Sequence, residues 1–519
     1  MSIRKHAAFY IPAIFLWLTL IAGCATAPSL QNRIPSHALA ASESAATILG
    51  KADARLSAAH PGKTGIHTLP NPREAFAVRA LLARAAQRTL DVQYYLWQKD
   101  LTGTLLFESL HAAAERGVRV RLLLDDLNTS GLDPTLAALD SDPNIEVRLF
   151  NPFFLRSPRW VNYISDFSRL NRRMHNKSFT ADNQVTIIGG RNIGDEYFGV
   201  AGDVSFTDLD VLAIGPVVKD VSRSFDDYWN SQSAYPASLL MPLGTPAELQ
   251  KLTDEASALE LEPRASAYVQ ALRGSSLLHQ LADGTIPLEW ATTHMLSDDP
   301  RKGLGQVPAK ELLSYKLERA IGKPRSHVEL ISSYFVPTAA GVTDLVALAK
   351  RGVKVKVLTN SLEATDVAAV HAGYAKRRKP LLAAGVKLYE LRRQSPAGKK
   401  DRDEGHFRSS GSSLHAKTIS IDGSRVFIGS FNFDPRSAKL NTELGFVIDS
   451  PELAQAIAKS FDNNVPDTAY EVHLSETGDL YWTEIKDGKE IRHNTEPGAS
   501  LWRRAVVGFL SLLPIDWLL

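Results

Sequence analysis

Two copies of one pattern place a histidine and a lysine two residues apart, as His175-x-Lys177 and as His415-x-Lys417. Alternation along a strand directs both side chains of a pair to the same face. An imidazole can attack phosphorus or move a proton, and an ammonium can neutralise oxygens on which negative charge grows. The pairs therefore predict displacement at a phosphate ester, with neither a metal ion nor a cofactor required.

The same two segments carry further matching residues. Asp182 and Asp422 each stand five positions after their lysine, and six residues then separate them from Gly189-Gly190-Arg191-Asn192 and Gly429-Ser430-Phe431-Asn432. Small residues at such a turn let the backbone and a side-chain amide approach an oxyanion closely. The side chains predicted to bind phosphate oxygens, beside the two lysines, are those of Asn192, Asn432 and Ser430.

The elements around the motifs are also repeated. A β-rich run, a helical stretch, an Arg-Gly-Val turn and a second β-rich run occupy Thr89 to Leu124 and, about 235 residues later, His327 to Leu358. Strands that alternate with helices predict α/β layers with a parallel or mixed sheet. A period this long indicates a duplicated domain and not a solenoid.

Composition limits the kind of partner. The 519 residues are 44% hydrophobic and 22% charged, which suits a globular chain with large cores. The formal net charge is only +2, and Arg4 and Lys5 of the leader account for it. A neutral body lacks the broad positive field that follows a nucleic-acid backbone, so no nucleic acid is expected as partner.

The leader predicts export. Residues 1–24 have a basic start, an apolar run and the ending Ile21-Ala22-Gly23-Cys24, which resembles the lipobox of bacterial lipoproteins. Cys24 is the only cysteine, which rules out an intramolecular disulfide and predicts its use as the lipid anchor. Ala25 follows the cysteine, at the position where an aspartate would indicate retention in the inner membrane. We therefore expect a bacterial envelope protein that is attached to the outer membrane and faces the periplasm. An ordinary signal anchor is the alternative.

The paired motifs resemble the signature of the phospholipase D superfamily, and two copies in one chain are typical of its lipid-acting members. Met174 to Asn192, with the following Gly194 to Phe198, the leader and the terminal Leu-Leu-Pro-Ile-Asp-Trp-Leu-Leu, is similar to the cardiolipin synthase C class. The resemblance implies a duplicated α/β/α sandwich with two pseudo-twofold related lobes and one shared active site. The expected divisions are a signal peptide (1–24), a tether (25–65), a first lobe (66–244), a helical connector (245–285), a second lobe (286–470) and a C-terminal tail (471–519).

The resemblance also assigns roles. One histidine attacks phosphorus to form a phosphohistidine, and the other acts as general acid and then as general base; by analogy His175 is the nucleophile and His415 the proton carrier. Each imidazole needs a carboxylate on its other nitrogen. Glu443 is the expected acid of the second half and the partner of His415. In the first half Asp208 is expected, with Asp210 as the alternative, while Asp182 and Asp422 are expected to brace the fold.

The class implies transfer of a phosphatidyl group to phosphatidylglycerol to make cardiolipin, from either phosphatidylethanolamine or a second phosphatidylglycerol. Hydrolysis by a phospholipase D-type reaction is the alternative, because acceptor choice depends on how well the pocket keeps water out. A nucleic-acid phosphodiesterase and a silent envelope scaffold are less favoured. The expected partners are the phospholipids and a membrane surface; an accessory protein stays undetermined.

Two segments are candidates for lipid contact. Aromatic residues around Trp160 alternate with arginines before the first motif, and a tail from Leu501 to Leu513 carries Trp502 beside two arginines. Each could meet a membrane surface or pack into the body. A polar loop from Arg392 to Ser413 is expected at the mouth of the site.

Overall fold

The computed structural model describes residues 27–200, 205–393 and 412–513. Its strands form two sets that follow each other along the chain. The first set comprises β1 (Thr64–Leu69), β2 (Thr89–Tyr94), β3 (Arg119–Asp125), β4 (Ile145–Phe150), β5 (Ser178–Ala181), β6 (Val185–Gly189), β7 (Ser205–Thr207), β8 (Asp210–Ile214) and β9 (Ala234–Pro236). The second comprises β10 (Glu289–Ser297), β11 (His327–Ser332), β12 (Lys354–Asn360), β13 (Lys387–Leu391), β14 (Ser412–Leu414), β15 (Lys417–Ile421), β16 (Arg425–Gly429), β17 (Leu444–Asp449), β18 (Ala469–Leu474), β19 (Leu480–Lys486) and β20 (Lys489–His493).

The two sheets have the same strand order. The first runs β1-β8-β6-β5-β2-β3-β4-β9, and the second runs β10-β17-β16-β15-β11-β12-β13-β18, with β19 and β20 added at its edge. Each sheet contains three neighbouring parallel strands, β2-β3-β4 in the first and β11-β12-β13 in the second. All other neighbouring strands of the two sheets pair antiparallel. The predicted duplicated α/β fold is confirmed.

Helices cover both sheets. Their amphipathic or apolar faces pack on strands such as β3, whose side chains are buried on both sides, as expected for parallel strands between helical layers. Those of the first lobe are Pro72–Ala85, Leu101–Glu115, Asp133–Asp140, Asn162–Leu170, Asp195–Phe198 and Pro216–Trp229. Those of the second are Leu313–Ile321, Ala339–Lys350, Ala368–Ala375, Arg378–Ala383, Pro435–Lys439, Pro451–Asn463 and Val465–Thr468.

Strand β10 joins the lobes. Its first residues pair antiparallel with β1, and the rest, from Thr292 to Ser297, pair antiparallel with β17. A second link is the parallel pair of β7 and β14. Between the lobes lies a shared apolar cluster that includes Val211 and Val221 of the first lobe and Ile428 and Phe446 of the second. The lobes therefore share strands and core.

The N-terminal segment differs from the tether expected at 25–65. It carries the helices Ala41–Ala45 and Ile48–Ser57, and β1 already begins at Thr64. Buried arginines of the first lobe donate to its backbone: Arg121 Nη1 to Ser36 O at 3.0 Å and Arg148 Nη2 to Ile34 O at 2.9 Å. These hydrogen bonds hold the segment against the first lobe, so residues 33–57 pack on the lobe and do not form a free tether.

Other expected divisions can be compared with the observed elements. The connector contains the helices Pro246–Glu260, Ser266–Gly274 and Leu277–Asp283. The second sheet continues to His493, beyond the expected limit at 470, and the helix Leu501–Ser511 follows. The leader with Cys24, and residues 394–411 of the expected polar loop, lie outside the described residues. In the described ranges, every helix is too short or too polar to traverse a bilayer.

Candidate active site

The first histidine lies where the two lobes meet. His175 stands just before β5, and its backbone N–H donates to Thr442 O at 2.9 Å. Its Nδ1 lies 2.9 Å from Glu443 Oε2, so Nδ1–H donates to a carboxylate of the second lobe. The ring meets that of Tyr95 edge to face, with 4.9 Å between centroids. These contacts leave Nε2 as the nitrogen available for chemistry.

The second histidine repeats this arrangement with the lobes exchanged. The backbone N–H of His415 donates to Thr207 O at 2.8 Å, and its Nδ1 lies 2.6 Å from Asp208 Oδ2. Each half therefore supplies the acid that orients the other half's histidine. The expected pairing of Glu443 with His415 is wrong: Glu443 orients His175, because the joined edges bring the residues just before β8 and β17 beside the other lobe's motif.

The geometry separates the two candidate acids of the first half. Asp208 contacts His415, whereas the carboxylate of Asp210 is taken by Arg79 at 2.7 Å and Arg191 at 3.3 Å. Asp210 thus holds the fold beneath the site. Asp208 is the acid that meets a histidine.

Two serines hold Glu443. Ser430 Oγ donates to Glu443 Oε2 and accepts the N–H of Leu444 at 3.0 Å, and Ser437 Oγ donates to Oε1 at 2.7 Å. The sequence predicted that the hydroxyl of Ser430 binds a phosphate oxygen. In the structure it donates to Glu443, the acid that orients His175. Ser437 was not found from the sequence, because no repeat partner marks it.

The first lobe has Gly190 where the second has Ser430. A Cβ at Gly190 would come within 2.2 Å of Asp208 Oδ1, which is closer than real Cβ contacts allow. Asp208 instead accepts the N–H of Leu209 at 2.8 Å. The glycine therefore makes room for the carboxylate that orients His415.

The lysines lie beside the histidines. Lys177 Nζ donates to His175 O at 2.6 Å and sits 5.3 Å from the ring centroid of Tyr95. Lys417 Nζ donates to His415 O and lies 3.0 Å from the Nδ1 of that ring. All four side chains are buried. Each pair thus presents one cation and one imidazole in the same interior space.

Burial sets the charge of the histidines. It lowers the pKa of His175 to about 4, which Glu443 opposes and Lys177 and Lys417 reinforce. It also lowers the pKa of His415 to about 4, together with Lys417 and Lys177 and against Asp208. Both imidazoles are therefore neutral at pH 7. Since each lysine acts on the histidines of both lobes, the four groups form one site.

The lysines and acids are shifted as well. Burial lowers the pKa of Lys417 to about 8 and also lowers the pKa of Lys177. Burial alone would raise the pKa of Asp208, but His415 and Lys417 outweigh it and bring the pKa to about 2. Burial alone would also raise the pKa of Glu443, but His175 and Lys177 outweigh it and lower that pKa. Both acids are ionised at pH 7.

The asparagines follow β6 and β16, which pair with the motif strands β5 and β15. Asn192 Nδ2 lies 3.0 Å from Tyr197 Oη, and its Oδ1 has no hydrogen-bond partner among the described residues. Asn432 Oδ1 accepts from Ser333 Oγ at 2.8 Å. Tyr197 also meets the ring of His415 edge to face at 5.2 Å. Tyr95 and Tyr197 were missed as site residues; Tyr95 follows β2, and Tyr197 lies in the helix Asp195–Phe198 just after the first motif.

Asp182 and Asp422 lie at the far ends of β5 and β15 from the histidines. Asp182 accepts the backbone N–H groups of residues 87–89, and Asp422 accepts those of residues 325–327. Each therefore fastens the start of the neighbouring strand, β2 or β11. Neither contacts a histidine or lysine of the site.

Comparisons with known proteins agree with the duplicated fold. The family model described as "Cardiolipin synthase, PLD-like domain" matches residues 78–229 and 317–465, one segment in each lobe. Cardiolipin synthase C of Escherichia coli (strain K12) is 52% identical over 466 residues, 89% of this chain and 98% of that protein. An uncharacterized protein of Helicobacter pylori is 31% identical over 463 residues, 88% of this chain and 89% of that protein. The crystal structure of phosphatidylserine synthase from Haemophilus influenzae Rd KW20 superposes with a TM-score of 0.54 at 13% identity, covering 90% of this chain and 99% of that one, which is a likeness of fold.

Proposed function

The chain belongs to the cardiolipin synthase family with phospholipase D-like domains, and we propose that it makes cardiolipin by transferring a phosphatidyl group to phosphatidylglycerol. The observation that carries the proposal is the crossed pair of hydrogen bonds, His175 to Glu443 and His415 to Asp208. Two oriented imidazoles beside two buried ammonium groups suit a two-step displacement at a phosphodiester. The family is one of phosphatidyltransferases, and the relative's name supplies the product.

In the first step His175 Nε2 attacks phosphorus. The bond from phosphorus to the donor's head-group oxygen breaks, and His415 Nε2–H gives its proton to that departing oxygen. Glu443 holds the proton on Nδ1 of His175 and stabilises the positive charge that the ring gains. The bound phosphate anion offsets the charge of the lysines, which raises the pKa of His415 and lets it carry the proton.

In the second step a hydroxyl of phosphatidylglycerol loses its proton to His415 and attacks the phosphohistidine. The phosphorus–nitrogen bond breaks, and His175 leaves as neutral imidazole. We assign the binding of the phosphate oxygens on which charge grows in both steps to Lys177, Lys417, Asn192 and Asn432; the position of the two lysines beside the histidines supports this. Water in place of the alcohol would give hydrolysis.

The intermediate provides the sharpest test. With 32P-labelled phosphatidylglycerol or phosphatidylethanolamine as donor, rapid quench of the purified chain should trap an acid-labile, base-stable adduct on the peptide that contains His175. Asp208→Asn should slow both the formation and the turnover of the adduct, because His415 acts in both steps, whereas Glu443→Gln should slow mainly its formation. His175→Ala should give neither adduct nor cardiolipin.

Other results would revise or refute this scheme. A label on His415 would exchange the two roles. No adduct, together with inversion at a chiral phosphorus, would refute the two-step reaction. Phosphatidic acid formed in place of cardiolipin at saturating acceptor would establish the hydrolase alternative, and the relative rates with the two labelled lipids identify the donor.

We also propose that the chain works in the bacterial envelope, anchored through lipid on Cys24 to the outer membrane and facing the periplasm. The leader layout and the single cysteine support this. Cys24→Ser should yield an unlipidated precursor and move the protein out of the outer-membrane fraction. A wild-type chain that begins at Met1 and carries no lipid by mass spectrometry would disprove the anchor.

A further inference from the structure

A buried ion pair lies behind the acid that orients His175. Lys302 Nζ donates to Asp298 Oδ2 at 2.8 Å, and the two side chains are 1% and 0% exposed. Removing two charges from water is costly, and apolar residues in the place of such a pair are often equally stable or more stable. Stability alone therefore does not account for the pair.

Asp298 holds the backbone of Glu443 in both directions. Asp298 Oδ2 accepts the N–H of Glu443 at 3.0 Å, and the N–H of Asp298 donates to Glu443 O at 2.9 Å. The other carboxylate oxygen of Asp298 accepts the N–H of Leu313 at 2.7 Å, and its carbonyl oxygen accepts the hydroxyl of Tyr228 at 2.9 Å. Both lobes thus fix Asp298, so the backbone of Glu443 is fixed with it.

Lys302 joins this backbone contact to the carboxylate of Glu443. Its Nζ also donates to Ser437 O at 2.8 Å, and Ser437 Oγ donates to Glu443 Oε1 at 2.7 Å. Lys302 therefore bridges the residue that holds the main chain of Glu443 and the residue that holds its carboxylate. The direction of Glu443 Oε2, which lies 2.9 Å from Nδ1 of His175, depends on both.

The short helix Pro300–Leu304, which follows β10, places Lys302 at this position. A Cβ at Gly303 would come within 2.8 Å of the ring of Phe150, and Gly303 O accepts from Asn151 Nδ2 at 2.9 Å. The backbone of this helix is thus in close contact with the first lobe. Such packing leaves the buried ammonium of Lys302 little freedom to move.

The first half holds its acid with a different cation. Arg191 Nη2 donates to Asp208 O at 2.7 Å, and Arg191 Nη1 lies 3.3 Å from Asp210 Oδ2. The motif repeat aligns Arg191 with Phe431, so the second motif has no guanidinium at this position. Lys302, which lies outside both motifs, supplies the cation behind the other acid. The two histidines are therefore supported by separate cations.

We propose that Lys302, together with Asp298, is a positioning residue for phosphatidyl transfer: by fixing Glu443 it holds His175 as the Nδ1–H tautomer, with Nε2 free to attack phosphorus. The proposal rests on the proposed function, in which His175 is the nucleophile. A histidine whose orienting carboxylate moves away adopts the other tautomer for part of the time, and its Nε2 then carries the proton and cannot attack. The effect of Lys302 passes through Glu443.

Histidine tautomers test the proposal directly. In the full-length protein in detergent, labelled with 15N-histidine, long-range 1H–15N spectra distinguish the Nδ1–H form from the Nε2–H form, and His175→Ala identifies the signals of His175. Lys302→Met removes the ammonium and keeps a side chain of similar length. It should convert His175 from the Nδ1–H form to a mixture and leave His415 unchanged. Arg191→Met should do the reverse.

Rapid quench separates positioning from stability. Lys302→Met should slow the formation of the His175 adduct about ten- to hundredfold, as the loss of an outer partner that orients a functional histidine does, and should change the KM for the donor less than about twofold. Glu390→Gln is the matched control, because it breaks a buried pair with Arg378 elsewhere in the second lobe. It should lower the melting temperature without slowing the adduct.

Chemical rescue separates charge from packing. Lys302→Ala removes the side chain beyond Cβ, and a cavity of about 670 Å³ that borders Asp298 offers a path for small amines. n-Propylammonium should restore both the adduct rate and the Nδ1–H form of His175, whereas n-propanol, which is similar in size and uncharged, should restore neither. If Lys302→Met does not fold, Lys302→Ala prepared in propylammonium and then freed of it by dilution provides the same comparison.

The outcomes separate this proposal from the proposed function. An unchanged tautomer of His175 and an unchanged adduct rate in Lys302→Met overturn it. Rescue by propanol as strong as rescue by the amine overturns it too, because packing alone would then suffice, and so does an equal slowing of the adduct in Glu390→Gln. If the wild type forms no adduct while Lys302→Met still shifts the tautomer of His175, the proposed function fails and the positioning of His175 stands.

Discussion

At the scale of residues, the two histidines differ in how their acids are held. Glu443 receives two serine hydroxyls, whereas Asp208 receives one backbone N–H and lies against the bare Cα of Gly190. The half with Gly190 uses the shorter acid, aspartate, and the half with Ser430 uses the longer acid, glutamate. The two halves have thus diverged as matched pairs.

We expect Gly190→Ser to reduce transfer strongly. The new Cβ would force Asp208 away from His415, and such overpacking typically costs about 1–3 kcal/mol, or roughly 5- to 150-fold in rate if it falls on the transition state. Ser430→Gly is the matched control: it removes the hydrogen bonds of the Ser430 hydroxyl to Glu443 and Leu444 and creates no clash, so the loss should be smaller. Steady-state kcat and the melting temperature of both variants check this; equal kcat values would contradict it.

Lys417 should limit activity at alkaline pH. Burial lowers its pKa to about 8, so the ammonium loses its proton as the pH rises through that value. The charge that offsets the phosphate oxygens is present below this pH and absent above it, so kcat/KM, which reports the ionisation of the free enzyme, should fall toward high pH. Lys417→Arg keeps its charge and should move the falling limb upward. A limb that stays near 8 in Lys417→Arg would assign it to another group.

At the scale of elements, local patterns predicted the pieces better than their pairing. Periodicity and the Arg-Gly-Val turns located β2, β3, β11 and β12, because these strands and their helices have strong local signals. The crossing of the acids depends on β10 and on the β7–β14 pair, which join residues far apart in sequence. The assignment of Glu443 to His415 failed for that reason.

The C-terminal helix should depend on one buried acid. Glu496 pairs with Arg378 and His371 just before that helix, and its pKa is lowered to about 2, because Arg378 outweighs the effect of burial. A carboxyl group whose pKa is lowered in the folded protein stabilises the fold at pH values above its unfolded pKa, which is near 4.5. This stabilisation is lost as the pH falls toward 2. Glu496→Gln should cost about 1.5–3 kcal/mol, the range for a hydrogen bond to a charged group, because Arg378 keeps its other carboxylate partner, Glu390, at 2.9 Å.

Hydrogen exchange of residues 496–511 measures this effect directly. Exchange should rise in Glu496→Gln at pH 7 and in the wild type only in acid. Glu262→Gln, which breaks an exposed pair with Arg264, is the control and should leave stability unchanged. Unaltered protection of the helix in Glu496→Gln would show that the apolar contacts of Val507 suffice.

At the scale of the whole molecule, duplication has produced one site and not two. Each lobe contributes a histidine, a lysine and the acid for the other lobe, and a common apolar core holds the lobes together. The motif positions and the shared site follow from the sequence and the resemblance it carries. The serines behind Glu443 and the tyrosines beside the rings do not, because only the folded chain brings them there.

One site per chain predicts the outcome of mixing two inactive variants. His175→Ala and His415→Ala each remove half of the site, and both halves come from the same chain through β10. Co-produced and co-purified, the two variants should recover no activity above that of either alone. If neighbouring chains exchanged lobes, mixed assemblies would rebuild intact sites and recover roughly a quarter to a half of the wild-type rate. Such recovery, measured as cardiolipin formed per chain, would refute the intramolecular site.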